Sequence, residues 1–559
     1  MVWWSIYLST IALVMLVVWW RQGPRRAIAA GIFLSLLAPE WLRYHPLGAP
    51  PENGFNTAEI YINLRVAVAI VGLCLYLLHP KSTYNFKLIW TDWAMLALVA
   101  THAISDTFAD GFQWTMLLRI YGEWVLPYLA GRVAIQAVGD ARWALPFAVG
   151  VALVLAMFSV AEAVLNLQPN PSEMLLVDFS EGIAFDSRPI DGTPREADRI
   201  GFKRAYGPTM HPIYFAALQF LLLPWMIYAA ARSVKKRTSP VWWFAMPLVC
   251  AIGIAGPISR SPFVAMVILA YVMALILWPQ RRRFLGIAGA VTVVVTLLSA
   301  NFMLDQLESF SGNRDRAIWT QVNGNWVRYT GERHRYMLFE VYAPALKETG
   351  LFGYGTKKLT GFPPQIPRAT DNMQVADEAP QTPTISVTLD RHGRPTRIAP
   401  TPKSSAPTMP KASEADVATL DNAFLLYTLR FGYVGLLCFV AVMATAAANY
   451  IRLALTPNAE GMVWLSAMGG TVVAMAFVLL TVWMPTDFGF FYLWIVGASA
   501  GLMAERENPK LPLPEPSKSS RRRKRRRRSS HEEPWSGSTP EDSDVDDAGF
   551  SEPISEESK

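Results

Sequence analysis

The chain has 559 residues, of which 52% are hydrophobic and 12% aromatic, with 20 Trp and a formal net charge of +7. Apolar runs of about 20 residues, the length that crosses roughly 30 Å of hydrocarbon, recur from Trp3 to Met503. That pattern excludes an ordinary soluble domain and predicts an all-α polytopic membrane protein.

About thirteen spans are read: 3–20, 27–42, 60–78, 91–108, 112–134, 143–166, 210–230, 241–258, 262–278, 284–303, 422–447, 461–483 and 487–503. The first lacks a basic leader and a small-residue cleavage site, so it reads as a retained helix rather than a signal peptide. Cys74, Cys250 and Cys438 all fall inside apolar runs and read as small hydrophobes rather than disulfides or metal ligands; no metal and no cofactor is expected. Basic gaps alternate with the others: RQGPRR (21–26), HPKSTYNFK (79–87), GRVAIQAVGDAR (131–142), RSVKKR (232–237), QRRR (280–283) and Arg452. The positive-inside rule puts these in the cytoplasm. The N-terminus and the loops at 43–59, 167–209 and 304–421 are then outside, and the tail inside.

The chain divides into N-terminal spans (1–190), a second group of spans (191–303), a large outer loop (304–421), closing spans (422–504) and a tail (505–559). Several charges fall within spans: Glu40, Arg65, Arg119, Glu123, Glu162 and Arg430. Charges at membrane depth are costly and face a bundle interior or a wet cavity. Arg119 and Glu123 stand four residues apart and can pair on one helix face, either locking the packing or lining a path for a charged ligand.

Four outer segments carry candidate chemistry. The stretch DRIGFKRAYGPTMHPIYFA brings Arg199, Lys203 and Arg204 to the membrane face with His211 at the next helix mouth. It reads as an anion contact or as a plain juxtamembrane basic cluster. The turn PISRSP places Ser259 and Arg260 at the interface, where the arginine meets a ligand or snorkels to lipid phosphate. In GERHRYMLFEVYAPALKETGLFGYG, residues 331–355, helical spacing of Met337, Leu338, Val341, Tyr342, Ala345 and Leu346 predicts a short surface helix. Gly350 ends it, and Gly353 and Gly355 form a turn. Arg333 and Arg335 fall in its first turns, and arginine presents a planar donor fork suited to phosphate oxygens. Last, Asp421 and Asn422 stand at the start of the following span, where Asp421 also reads as a helix cap.

Between them, 368–418 is rich in Pro, Thr and Ser without periodicity and reads as a disordered insert. The tail carries RRRKRRRR at Arg521–Arg528 and then an acidic end from Glu532 to Asp547. Behind a polytopic domain this basic run reads as a surface for anionic lipid, as a partner for the acidic end, or as solvated chain. No nucleic-acid partner is expected.

The order SRSP, outer arginine helix, LFGYG and DNAFLLYTLRFGYVGLL resembles the bacterial O-antigen ligase and O-antigen polymerase superfamily over roughly residues 195–505. That resemblance implies a GT-C-like fold in the bacterial inner membrane. It implies metal-independent, inverting transfer from an undecaprenyl-diphosphate-linked glycan to an acceptor glycan or lipid-linked glycan on the periplasmic face. Arg260 matches the turn arginine and Arg335 the loop arginine, with Phe339 where the family carries Trp. Asp421 stands where ligases have histidine, and Asn422 keeps its neighbour. The resemblance makes Arg260 and Arg335 stabilisers of the leaving diphosphate and Asp421 the residue that orients or deprotonates the acceptor, with Arg333, Arg204, His211, Asn422 and Ser259 around the substrate. Two other classes remain open: a transporter or flippase for lipid-linked saccharides, and a non-catalytic envelope scaffold.

Overall fold

The computed structural model describes residues 2–39, 43–44, 62–79, 87–165, 198–199, 202–209, 211–235, 241–298, 318–322, 325–329, 334–356, 388–389, 395–396, 422–456, 461–484 and 488–507. These are mostly helical. In order they form α1 (Val2–Gln22), α2 (Pro24–Ser35), α3 (Leu64–Leu77), α4 (Trp90–Asp110), α5 (Trp114–Ile120), a π-helical turn (Tyr121–Val125), α6 (Leu126–Ala134) and α7 (Val138–Ala163). Then follow α8 (Pro212–Lys235), α9 (Val241–Ala255), α10 (Arg260–Leu277), α11 (Arg282–Leu298), α12 (His334–Glu348), α13 (Ala423–Ala454), α14 (Met462–Leu479) and α15 (Phe488–Glu507). Among the described residues seven helices are long and apolar enough to cross a membrane, within α1, α7, α8, α10, α13, α14 and α15, and the chain is a multi-pass membrane protein.

Strand content enters where the sequence reads only as loop. Ile318–Val322 (β5) pairs antiparallel with Asn325–Tyr329 (β6), around Asn323-Gly324, the dipeptide most favoured in two-residue hairpins. Two-residue ladders precede it, β1 (Arg43–Tyr44) with β2 (Ile62–Asn63) and β3 (Asp198–Arg199) with β4 (Phe202–Lys203). A last one, β7 (Thr388–Leu389) with β8 (Pro395–Thr396), falls within the tract read as an insert. The rest of that tract, and the tail beyond Glu507, lie outside the described residues.

The core is aromatic. Trp225 sits against Phe33 at 5.2 Å and Trp464 at 5.3 Å, while Trp494 stacks on Phe491 at 5.4 Å. Along the seam between α6 and α15 there is no room for side chains. Gly131 faces the Trp494 carbonyl, Gly497 the Tyr128 carbonyl and Gly501 the Arg132 carbonyl, so that a Cβ at any of the three would collide with backbone. Small residues allow helices in lipid to approach this closely, which is how dispersion replaces the missing hydrophobic drive. Gly497→Leu is therefore expected to part the seam and cost ~3 kcal/mol or more, read as a lowered thermal midpoint in detergent.

Described residues of three basic gaps lie together. Arg132 pairs with Asp92 at 2.9 Å and donates to the Lys87 carbonyl, Lys87 pairs with Glu507 at 3.0 Å, and Tyr128 donates to Asp92. Arg25 lies 4.0 Å from Asp140, Arg26 covers the Trp143 ring, and Gly461 abuts Val138. The candidate segments meet at the opposite end of the bundle.

Candidate functional site

The SRSP turn is braced from below. The Arg204 side chain is buried, and its Nε donates to the Pro257 carbonyl at 3.1 Å. The Ala205 N–H donates to the Gly256 carbonyl at 3.2 Å. Glu162, a span charge on α7, accepts the N–H groups of Tyr206 and Gly207. Ile258 closes the turn at φ 51°, the one non-glycine positive φ among the described residues. A β-branched residue there costs ~1–3 kcal/mol and persists only where its surroundings over-determine it. Buried Ser259 is the N-cap residue of α10, and exposed Arg260 is its first helical residue. A cation opposes the macrodipole at a helix N-terminus, where anions are favoured; Arg260 is not placed there by helix preference.

The end of α14 joins this turn to the start of α13. Thr481 donates its hydroxyl to Ser261 at 2.8 Å, and the next residue, Val482, accepts the Ala423 N–H at 3.1 Å. Asn422 is buried, and its Oδ1 accepts the Leu425 N–H at 3.0 Å. It caps α13. Asn422→Ala is expected to cost about 0.5–2 kcal/mol of stability with Asn422→Asp retaining most of it, measured by thermal unfolding. His211 is similarly engaged locally: its Nδ1 accepts the Ile213 N–H at 3.2 Å, and its ring lies 5.2 Å from Tyr214. Tyr214 in turn meets Trp483 at 6.3 Å and Phe488 at 5.8 Å.

Helix α12 docks beside these elements. Leu338, Tyr342 and Ala345 bury against Leu425, Leu426 and Leu429 of α13, with Trp483 at the edge of the cluster. Arg335 belongs to the first turn of α12, though its side chain is outside the described set; Arg333 and Asp421 lie outside the described residues altogether. The structure thus brings the Ser259–Arg260 turn and the start of α13 to Thr481–Val482, with the docked face of α12 reaching Trp483, while Arg204 and His211 engage neighbouring segments.

After α12 the chain turns at Gly350, Gly353 and Gly355, all with φ between 66° and 76°, and enters a break in α13. Gly432 stands at φ 69° and ψ −170° inside that helix. Tyr354 and Gly355 donate to the Leu429 and Arg430 carbonyls at 2.8 and 2.9 Å, and Val434 donates to the Leu351 carbonyl at 3.2 Å. Ser105 of α4 also donates to the Arg430 carbonyl.

The polar cluster behind this loop differs from the expected one. Among the described side chains, Arg119 meets Asp106 at 3.5 Å and donates to the Thr356 hydroxyl at 2.7 Å, in place of the pairing read with Glu123. The cause is local, because the π-helical turn carrying Glu123 adds a residue per turn and rotates it away from the four-residue register. Glu123 instead lies within electrostatic reach of Arg430 and Tyr427. His102 and Asp106, 3.3 Å apart and four residues apart on α4, escaped the sequence reading although their spacing is the one applied to Arg119.

No protein-family model and no curated protein matches the chain. Among the described residues no three His, Cys, Asp or Glu side chains converge as metal ligands.

Proposed function

We propose that the chain is a membrane glycosyltransferase of GT-C-like architecture. It uses an undecaprenyl-diphosphate-linked saccharide as donor and polymerises or ligates O-antigen or exopolysaccharide units on the periplasmic face of a bacterial inner membrane. The reading rests on one observation above the rest: the SRSP turn, the arginine-bearing α12 and the start of α13 meet around Thr481–Trp483, at the end of the bundle away from the basic gaps. The positive-inside rule reads those gaps as cytoplasmic, and on that reading the meeting point faces outward.

In this reading Arg260 and Arg335 hold the diphosphate and neutralise the charge that develops as the anomeric C–O bond breaks, an electrostatic contribution made in the transition state. Asp421 takes the acceptor hydroxyl proton as its oxygen attacks the anomeric carbon. Ser259 and Asn422 line the substrate beside them, Asn422 also fixing the first turn of α13, and Arg204 and His211 brace the segments that border it. Arg333 adds a further donor to the substrate. The test is reconstitution of the full chain with a lipid-diphosphate-linked saccharide: chain growth with release of lipid diphosphate is expected, and its absence with an intact protein sinks the reading.

A transporter of the same lipids is the second reading, favoured by the break in α13, since broken helices line transport sites. Here the freed backbone groups are occupied by residues 350–355. Movement of labelled lipid across vesicles without bond formation would select it.

A further inference from the structure

A helix broken at membrane depth strands backbone groups that hydrocarbon cannot satisfy. In α13 those groups are met by the Gly350–Gly355 segment, and among the described residues the far end of that segment is secured at Thr356. The Thr356 N–H donates to Asp106 Oδ1 at 2.8 Å, its hydroxyl donates to Asp106 Oδ2 at 2.6 Å, and Arg119 donates to that hydroxyl at 2.7 Å. Thr356 and Asp106 are both buried. Trp124 donates to His102 Nδ1 at 3.1 Å, and the other ring nitrogen of His102 stands 3.3 Å from Asp106 Oδ2. The two short hydrogen bonds that the carboxylate accepts thus both come from Thr356.

A cluster built only to lock α4 to α5 would make its shortest contact between Asp106 and Arg119. The opposite holds: that pair stands at 3.5 Å, and the short bonds run to Thr356. The charges are arranged about the loop. Gly355 also leaves no room for drift, because a Cβ there would collide with Ala109 of α4. Tracing the chain back from Thr356, the next ordered element is α12, eight residues upstream at Glu348, docked on Leu425, Leu426 and Leu429.

We propose that Thr356, clamped by Asp106 and Arg119, is a positioning residue: the clamp fixes α12, and with it Arg335, against the start of α13 beside the Arg260 turn. Only its consequence for turnover rests on the glycosyltransferase reading. The clamp itself is a property of the fold.

Hydrogen exchange on the full chain in nanodiscs tests it, run beside donor-dependent transfer. In Thr356→Ala the amides of 334–356 are expected to exchange about tenfold faster or more, while those of α6 and α15 keep their protection. Thr356→Ser, which retains the hydroxyl, is expected to restore both exchange and transfer. KM for the lipid-linked donor is expected to rise in Thr356→Ala more than kcat falls, since the displaced Arg335 weakens donor binding first. Unchanged exchange over 334–356 in both Thr356→Ala and Asp106→Asn would overturn the proposal. So would loosening spread evenly through α6 and α15, which marks a general structural role, or loosened α12 with undiminished transfer when Arg335→Ala abolishes it. If α12 loosens as expected but Arg260→Ala and Arg335→Ala leave transfer intact, the clamp stands and the reaction assigned to the site falls.

Discussion

Replacing Arg260 or Arg335 by Ala is expected to lower transfer from a lipid-diphosphate donor by about 10²–10³-fold each, the usual loss when one preorganised donor is removed from a developing negative charge. The effect is separable from misfolding at Arg260. That side chain is exposed at the first position of α10, so its removal opens no cavity and leaves the brace of Arg204 on Pro257 intact. Lysine is not an adequate substitute, because it offers a point charge where the guanidinium offers a planar fork matched to two phosphate oxygens. Cells carrying either variant are expected to accumulate lipid-linked precursor and to lose surface glycan, with protein abundance unchanged. Full-length glycan in both variants would remove the pair from the mechanism.

The second large effect is expected at Gly432. Its φ of 69° with ψ of −170° is a region that only glycine enters without strain, at ~1–3 kcal/mol for other residues. A Cβ would also run into the Leu351 carbonyl and the Phe352 amide. Gly432→Ala must then either bend α13 differently or expel the loop, giving up hydrogen bonds worth about 1 kcal/mol each. The combined loss is expected to reach ~3 kcal/mol or more. The check is thermal unfolding of the purified chain beside Gly150→Ala, where a Cβ meets nothing within 4 Å and helix propensity favours alanine by about 1 kcal/mol. Equal midpoints for the two variants would show that the break in α13 tolerates a side chain.

What could be read from the sequence follows the range of the interaction. Each expected span has a helix at its position, because hydrophobic run length is a local property that tertiary context seldom reverses. Gly350 as a helix end and Gly353 and Gly355 as a turn were readable too, because positive φ is a local demand that glycine meets. Their destination was not: the loop pairs with residues around Gly432, and nothing in either segment alone announces the other. Asn422, read as a substrate neighbour, also caps α13, a role that its position before an apolar helix already offered. Arg204 looked like a surface cation and is buried against a carbonyl, a partner supplied by a turn far along the chain. The Arg119–Glu123 expectation failed on a one-residue change of helical register, which sequence spacing does not reveal. His102 and Asp106, by contrast, were within reach, since two polar residues one turn apart in an apolar span are a signal in themselves.

The glycine seam between α6 and α15 also bears on how the molecule is made. Ribosomes deliver α6 early and α15 late, and the contact between them has no earlier substitute, since its partners are backbone carbonyls that only glycine can approach. The Asn449–Thr91 hydrogen bond spans 358 residues in the same sense. Until α15 is made, Gly131 lacks the Trp494 carbonyl it packs on, and contacts closed over such distances form slowly. A nascent chain stalled before Phe488 would thus present an unfinished seam to membrane quality-control proteases, which makes the arrival of α15 the step that closes it.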